Sequence, residues 1–385
     1  MISEYKIMNP DLSLTKPYPF TRLRALLSDS KLPDGIEHIS LSIGEPKHAA
    51  PEAVIRALFD SSKLFEKYPA TTGALELRTA ISDWIFRRYG VKTDPLTQIL
   101  PTNGSREALF SFTQAYIDRT KSPFVILPCP FYQIYEGASL MAGATPYYCP
   151  QTAENNFAMD LDSVPEEVLR NTQLVFVCSP SNPTGKVLNL EDWKKLFSYS
   201  DKYGFVIGSD ECYSEIYFDE EKPPLGALEA AKLLGRDNFE RLIVFSSLSK
   251  RSNIPGMRTG FVAGDAALIK PYLLYRTYHG CAMSGPIQQA SIAAWNDEEH
   301  VRESRRLYKE KFAAAVPLMS KTLGISMPDA SFYLWAKTPI DDQEYAKRLY
   351  EEKAITVLPG SFLSRDCGGL NPGRGYIRIA LVATV

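Results

Sequence analysis

Apolar residues along this chain of 385 residues gather in short runs. FVILPCP (124–130), TPYYC (145–149), LVFVC (174–178), FVIGSD (205–210), LIVFSS (242–247) and TGFVAG (259–264) have strand length and are apolar or β-branched throughout. Amphipathic stretches such as LEDWKKLFSYSDKYG (190–204) separate them. Unalternated apolar runs spaced by helical patterns predict a largely parallel sheet with helices on both faces. After about residue 285 the texture changes. There, 300–324 and 341–354 read as helices, and SFYLWAK (331–337) and YIRIALV (376–382) as strands. The expected fold class is α/β: a mostly parallel central sheet sandwiched by helices, plus a smaller α+β domain. The expected division is an N-terminal segment, 1–45, packing with the small domain, a large domain, 46–284, and a small C-terminal domain, 285–385.

Composition narrows the function without choosing it. Apolar residues make up 45% and charged residues 23%, ordinary for a globular enzyme. Lys+Arg 43 against Asp+Glu 45 leaves no basic excess for nucleic acid or a membrane surface. Six scattered cysteines without a C-x-x-C pair read as free thiols in a reducing compartment. Four histidines without ligand spacing give no metal site. The polar, proline-punctuated start lacks the apolar core of a signal peptide, so the expected location is cytoplasmic.

Chemistry enters at the strand ends. Lys250 follows the strand LIVFSS, with Arg258 just after Pro255-Gly256. A lysine buried there can shed its proton and form a Schiff base with an aldehyde, while nearby serines and the arginine can hold a phosphate. Taken alone, Ser-Lys at a strand end is more often a surface turn. Asp210 ends another apolar strand, where an unpaired carboxylate is costly unless it meets a cation such as a protonated pyridine nitrogen. Asn182, in SPSNPTGK, and Tyr213 can both reach a ring oxygen. Tyr213 is equally readable as core packing. In LPTNGSREALF, Gly104 turns the chain into a helix whose first N–H groups, at Gly104, Ser105 and Arg106, would face a phosphate. The Arg106 side chain reads as a solvated helix residue. Tyr132, after FVILPCP, offers an aromatic face. The constellation describes a seat for pyridoxal 5'-phosphate (PLP).

The ordered motifs NGSRE, PCPFY, NPTG, DECY, SLSK and GMRTG resemble those of the class I/II aminotransferases, PLP enzymes of fold type I. The resemblance runs from SIGEP (42–46) to YIRIALV (376–382). SIGEPKHAAPEAV, VLPGSFL and NPGRGYIRIALVATV are most similar to bacterial N-succinyldiaminopimelate aminotransferases. The resemblance implies that Lys250 is the imine lysine and the proton carrier, and that Asp210 pairs the pyridine nitrogen. Asn182 and Tyr213 would tune the phenolic oxygen, and Tyr132 would stack on the ring. Gly104, Ser105, Arg106, Ser247 and Arg258 would hold the phosphate. Tyr68 would reach the phosphate of a neighbouring subunit in a homodimer. Arg378 would clamp the substrate α-carboxylate, and Gly44 would admit the substrate close to the backbone. Without the resemblance, Arg378 is the polar face of a strand and Tyr68 a loop aromatic. A closing helix expected after Arg378 is not visible in the sequence.

The implied reaction is ping-pong transamination between glutamate/2-oxoglutarate and N-succinyl-2-amino-6-oxopimelate, on the route to diaminopimelate and lysine. Its partners are small amino and 2-oxo acids. Arg22, Arg24 and Lys16 could meet the distal group, though a solvated surface is the simpler reading for each. Rivals on the same scaffold are alanine, aspartate or aromatic aminotransferases and a C–S lyase. A PLP-sensing regulatory domain is the non-enzyme alternative, and it needs a DNA-binding module for which the stretch before residue 40 is too short.

Overall fold

Strands form where the chain can bury both of its faces. The computed structural model describes residues 9–383; the ends of the expected terminal segments, 1–8 and 384–385, lie outside the described residues. In chain order the strands are β1 (Ile39–Ser40), β2 (Ile99–Thr102), β3 (Phe124–Cys129), β4 (Thr145–Pro150), β5 (Thr172–Cys178) and β6 (Val206–Asp210). They continue with β7 (Leu242–Ser247), β8 (Gly260–Gly264), β9 (Tyr333–Lys337), β10 (Ile355–Thr356), β11 (Leu358–Pro359) and β12 (Tyr376–Ala380). Seven of them make one sheet in the order β2-β8-β7-β6-β5-β3-β4. Only β8 runs against its neighbours, pairing antiparallel with both β2 and β7.

The apolar runs do not alternate because both sides of this sheet are covered. Along β5, Leu174 and Phe176 enter one buried cluster while Val175 and Val177 enter the other. One face packs on Trp84, Trp193, Phe197 and Trp295, the other on Phe112, Phe131, Tyr135 and Tyr272. Strand β2 was not legible as a strand, because a run of four residues containing Pro101 reads as a turn leading into the next helix.

The second unit is a three-stranded antiparallel sheet, β11-β12-β9, covered by the helices Glu299–Leu323 and Asp342–Lys353. The N-terminal segment folds back onto it. β1 pairs in parallel with β10, Leu41 O accepts from Ala380 N at 2.8 Å, and Leu23 packs with Leu358, Phe362 and Leu363. The helix Gly285–Asn296 packs instead against the first unit, on the helices Glu52–Asp60 and Leu75–Tyr89, with Trp295 beside Trp84. The expected division after residue 284 therefore moves, and we propose that the large unit extends through Asn296. Among the described residues no helix is long and apolar enough to cross a membrane.

A buried carboxylate ties the two units together. Glu215 receives Arg88 Nε at 2.7 Å from the large unit and Arg305 Nη1 at 3.2 Å from the helix Glu299–Leu323. Its side chain is 3% exposed, so neither guanidinium can exchange this partner for water. Removing one member of a buried ionic group leaves the others uncompensated, at a cost of about 3–5 kcal/mol. Glu215→Ala is expected to lower the stability by about that amount in denaturant unfolding. An unchanged midpoint would mean that the junction is held elsewhere.

Candidate active site

The carboxyl ends of the parallel strands, where ligands of such sheets gather, open on a cavity of about 610 Å³. Strand β6 ends in Asp210 and β7 in Ser247, while the loop after β5 carries Asn182. The small unit and the folded-back segment supply the opposite wall through Arg378, Tyr333, Gly44 and Tyr18.

Lys250 sits in the one-turn helix Leu248–Arg251, directly after β7. Its Nζ donates to Gly44 O. Desolvation lowers its pKa to about 8, against a smaller opposing effect of the Cys212 thiol. Asp210 is 3% exposed, and burial raises its pKa. Its Oδ2 accepts from Tyr135 Oη at 2.7 Å and its Oδ1 from Cys212 N at 3.2 Å. Both donors are neutral, and among the described residues no cation is paired with its carboxylate.

Gly104 adopts φ 85° and leads into the helix Ser105–Tyr116, whose N-terminus has no side-chain cap. The first amides of that helix therefore carry its positive end toward the cavity. The backbone angle requires glycine at 104, and a Cβ there would push Arg258 Nη2, 2.4 Å away, from its place. Arg258 itself holds a left-handed φ of 54°, with Nη1 donating to Pro255 O at 2.9 Å. A bulky residue in that region is strained and persists where its surroundings fix it. Ser247 Oγ accepts from Ser249 N at 2.9 Å and donates to Ser249 Oγ at 2.8 Å, which aligns both hydroxyls at the same edge.

Arg378, on β12, is 4% exposed. Nη1 donates to Asn182 Oδ1 at 2.9 Å and Nη2 to Ser42 O at 2.8 Å, while buried Nε has no partner. The guanidinium lies 4.4 Å from the centre of the Tyr333 ring. Tyr333 Oη and Tyr213 Oη are 3.1 Å apart. A Cβ on Gly44 would lie 2.0 Å from Tyr333 Oη, so a side chain at 44 would displace that ring.

Gly44, Ser105, Arg106, Tyr132, Asn182, Asp210, Tyr213, Ser247, Lys250, Arg258 and Arg378 thus line one cavity, with Gly104 directly behind Arg258. The Arg106 side chain is exposed, as the solvated reading expects, and also lines the cavity. Nε donates to Tyr132 Oη at 2.7 Å and Nη2 to Tyr18 Oη at 3.3 Å, at the cavity's edge. Tyr68 is fully exposed and lies outside the cavity. Arg22 stacks on Phe362 at 4.1 Å, Arg24 bonds Thr21, and neither lines the cavity, nor does Lys16. Sequence reasoning missed Tyr135, Ser249 and Tyr333. Tyr135 follows Tyr132 at helical spacing, which was the available signal. One group of metal-ligating side chains does assemble among the described residues, Glu107, His279 and Cys281. Arg276 Nη1 already lies 2.6 Å from Glu107 Oε1, so a cation occupies that carboxylate.

This residue set fits PLP on three observations. An amine with a lowered pKa and a buried carboxylate without a cation line the same cavity. An uncapped helix N-terminus faces Arg258 across a space that a Cβ at Gly104 would fill.

Comparison with known proteins agrees. Residues 36–385 match the family model "Aminotransferase class I and II". An aminotransferase of Neisseria meningitidis superposes with a TM-score of 0.95 at 53% identity, over 98% of this chain and 96% of that one. The LL-diaminopimelate aminotransferase of Aquifex aeolicus is 34% identical, over 96% of this chain and 93% of its own length. A probable N-succinyldiaminopimelate aminotransferase of Thermus thermophilus superposes at 0.84 with 25% identity, covering 95% of each chain. With cavity, strand order and family model in agreement, the chain belongs to the class I and II aminotransferases and is a PLP-dependent enzyme of fold type I.

Proposed function

We propose that this aminotransferase works by a ping-pong reaction between glutamate/2-oxoglutarate and N-succinyl-2-amino-6-oxopimelate. The single observation carrying the substrate class is Arg106. It faces the cavity, is bonded to two tyrosine hydroxyls, and has no carboxylate partner among the described residues. Of the three guanidinium groups lining the cavity, Arg258 is assigned to the phosphate, which leaves Arg106 and Arg378, the latter oriented by Asn182 and Ser42, for a substrate with a carboxylate at each end. A specific observation favours a second reading, unacylated LL-diaminopimelate. Glu45 also lines the cavity and could receive the distal ammonium that succinylation removes, although Lys47 Nζ lies 3.2 Å from it.

On this reading the bound cofactor supplies an aldehyde for condensation with amines and a ring that accepts the electron pair released at the substrate α-carbon. The residues do the rest. Arg378 grips the α-carboxylate and sets the α-carbon over Lys250. Lys250 Nζ would take the proton from that carbon and hold it for the return step. Asp210, fixed by Tyr135, would hold a proton on the ring nitrogen. Asn182 and Tyr213 would hold the ring oxygen, and Tyr132 would lie against the ring. Gly104, Ser105 and Arg106 would cradle the phosphate through their backbone amides, Ser247 through its hydroxyl and Arg258 through its charge, which leaves the Arg106 guanidinium for substrate. Gly44 keeps the substrate's path free of a side chain. Tyr68 belongs to a homodimer in which it reaches the neighbouring site. Its full exposure, near exposed Phe59 and Phe65 in sequence, supports that reading.

Glutamate formation from 2-oxoglutarate tests the substrate. N-succinyl-LL-diaminopimelate is expected to exceed LL-diaminopimelate in kcat/KM by about tenfold, the ratio given by about 1.4 kcal/mol. The reverse order would move the assignment to the second reading, and pyruvate and ammonia release from cysteine conjugates without an acceptor would replace both. The lowered lysine pKa makes a separate prediction. Lys250 is protonated below about pH 8 and neutral above it, so cofactor capture by the apo-protein should accelerate as pH rises through about 8. A profile that rises only near the ordinary lysine value of 10.5 would contradict a desolvated Lys250.

A further inference from the structure

Two cysteines that the transamination chemistry does not use meet where the two units join. Cys129 ends β3, two residues before Phe131 and three before Tyr132, and is fully buried. Cys367 is half-buried on a hairpin closed by its own N–H to Leu370 O at 2.7 Å. Both thiols donate to one acceptor, the carbonyl of Arg365, at 3.7 Å from Cys129 Sγ and 3.5 Å from Cys367 Sγ. The Arg365 N–H in turn donates to Cys129 Sγ at 3.4 Å. The backbone of one residue therefore brackets both sulfurs.

The surroundings hold the two segments together and single out this pair. Arg365 forks onto buried Glu136, with Nε 2.7 Å and Nη2 2.5 Å from its oxygens, and Tyr148 Oη donates to the same carboxylate at 2.6 Å. Phe131 N donates to Leu363 O at 2.9 Å, so the cavity wall carrying Leu363 already rests on the strand end that carries Tyr132. Cys149, on neighbouring β4, belongs to the buried cluster on the other face of the sheet. Cys129 and Cys367 share the opposite face. The neighbouring Cys129 holds the Cys367 thiol below its ordinary pKa, whereas burial pushes Cys129 up. Cys367 is thus both the more accessible and the more readily ionised of the two, as an attacking thiol requires.

We propose that Cys129 and Cys367 are a redox-sensitive pair, which a hydroperoxide converts to a disulfide stapling the Leu363 wall of the cavity to the Tyr132 strand end. The Cys367 thiolate attacks one peroxide oxygen; the S–O bond forms, the O–O bond breaks, and hydroxide leaves. Cys129 then attacks that sulfur. The S–S bond forms, the S–O bond breaks, and the departing hydroxide takes the Cys129 proton as water. The net change is two thiols and one hydrogen peroxide to one disulfide and two waters. Gly368 and Gly369, both at left-handed φ, follow Cys367 and give its loop the freedom to close the remaining gap. This inference is independent of the proposed substrate.

The test is hydrogen peroxide treatment of the PLP-loaded protein, thiol titration after denaturation, and peptide mapping without reductant. Two of the six free thiols should disappear, and a peptide linking Cys129 to Cys367 should appear with the mass of two hydrogens missing. Cys367→Ser, on the accessible loop, should abolish the link and keep the other five thiols. Cys129→Ser should instead leave Cys367 as a sulfenic acid that dimedone traps. A Cys149–Cys367 link, Cys367 oxidised singly in the unmutated protein, or six intact thiols would overturn the pairing.

Discussion

A buried guanidinium with no carboxylate to answer it is the constraint around which this molecule is arranged. Arg378 is taken out of water by the small sheet, yet its hydrogen-bond partners among the described residues are neutral oxygens, Asn182 Oδ1 and Ser42 O. Burying a charge is costly, and neutral dipoles offset only part of that cost. Those two partners come from the large unit and the folded-back N-terminal segment, and Tyr333 of the small unit underlies the charge. The position of Arg378 therefore depends on all three segments meeting as they do. Glu215, shared by Arg88 and Arg305, fixes the same meeting on another side. On the proposed reading the missing anion is the carboxylate common to all amino-acid substrates.

Across the cavity the sheet provides the complementary groups. Parallel strands β5, β6 and β7 end side by side, so Asn182, Asp210 and Lys250 arrive together although they are far apart in sequence. Asp210 has the opposite deficit to Arg378: a buried carboxylate without a cation. Lys250, desolvated in the same cavity, is the group with a proton to exchange near neutral pH. Two unmet charges of opposite sign, with an ionisable amine and an uncapped helix N-terminus in the same cavity, match a zwitterionic cofactor–substrate pair better than a single simple ligand.

Much of this was legible because the chemistry sits where apolar runs stop. A continuous run such as FVIGSD announces a strand buried on both faces, and a charged residue closing it needs a reason. Asp210 and Lys250 stood out on that ground, and the order of the surrounding motifs carried Asn182, Arg258 and Arg378. Tyr135 did not stand out, because a tyrosine on the buried side of a helix looks the same whether it packs or donates to Asp210. Tyr333 lies on a half-buried strand, where an aromatic needs no further explanation. The Glu215 junction joins Arg88, Glu215 and Arg305, which are too far apart along the chain for local pattern to carry any trace of it. The helix Gly285–Asn296 has an apolar stripe that either unit could have buried, so only packing against Trp84 reveals where it belongs.

The most direct test of the Lys250–Asp210 centre is an absorption spectrum of the purified protein with PLP, before and after glutamate is added. A visible band that shifts toward the ultraviolet with glutamate, and that Lys250→Ala abolishes, is the expected result. No visible band in the presence of PLP, or an identical response in Lys250→Ala, would contradict it.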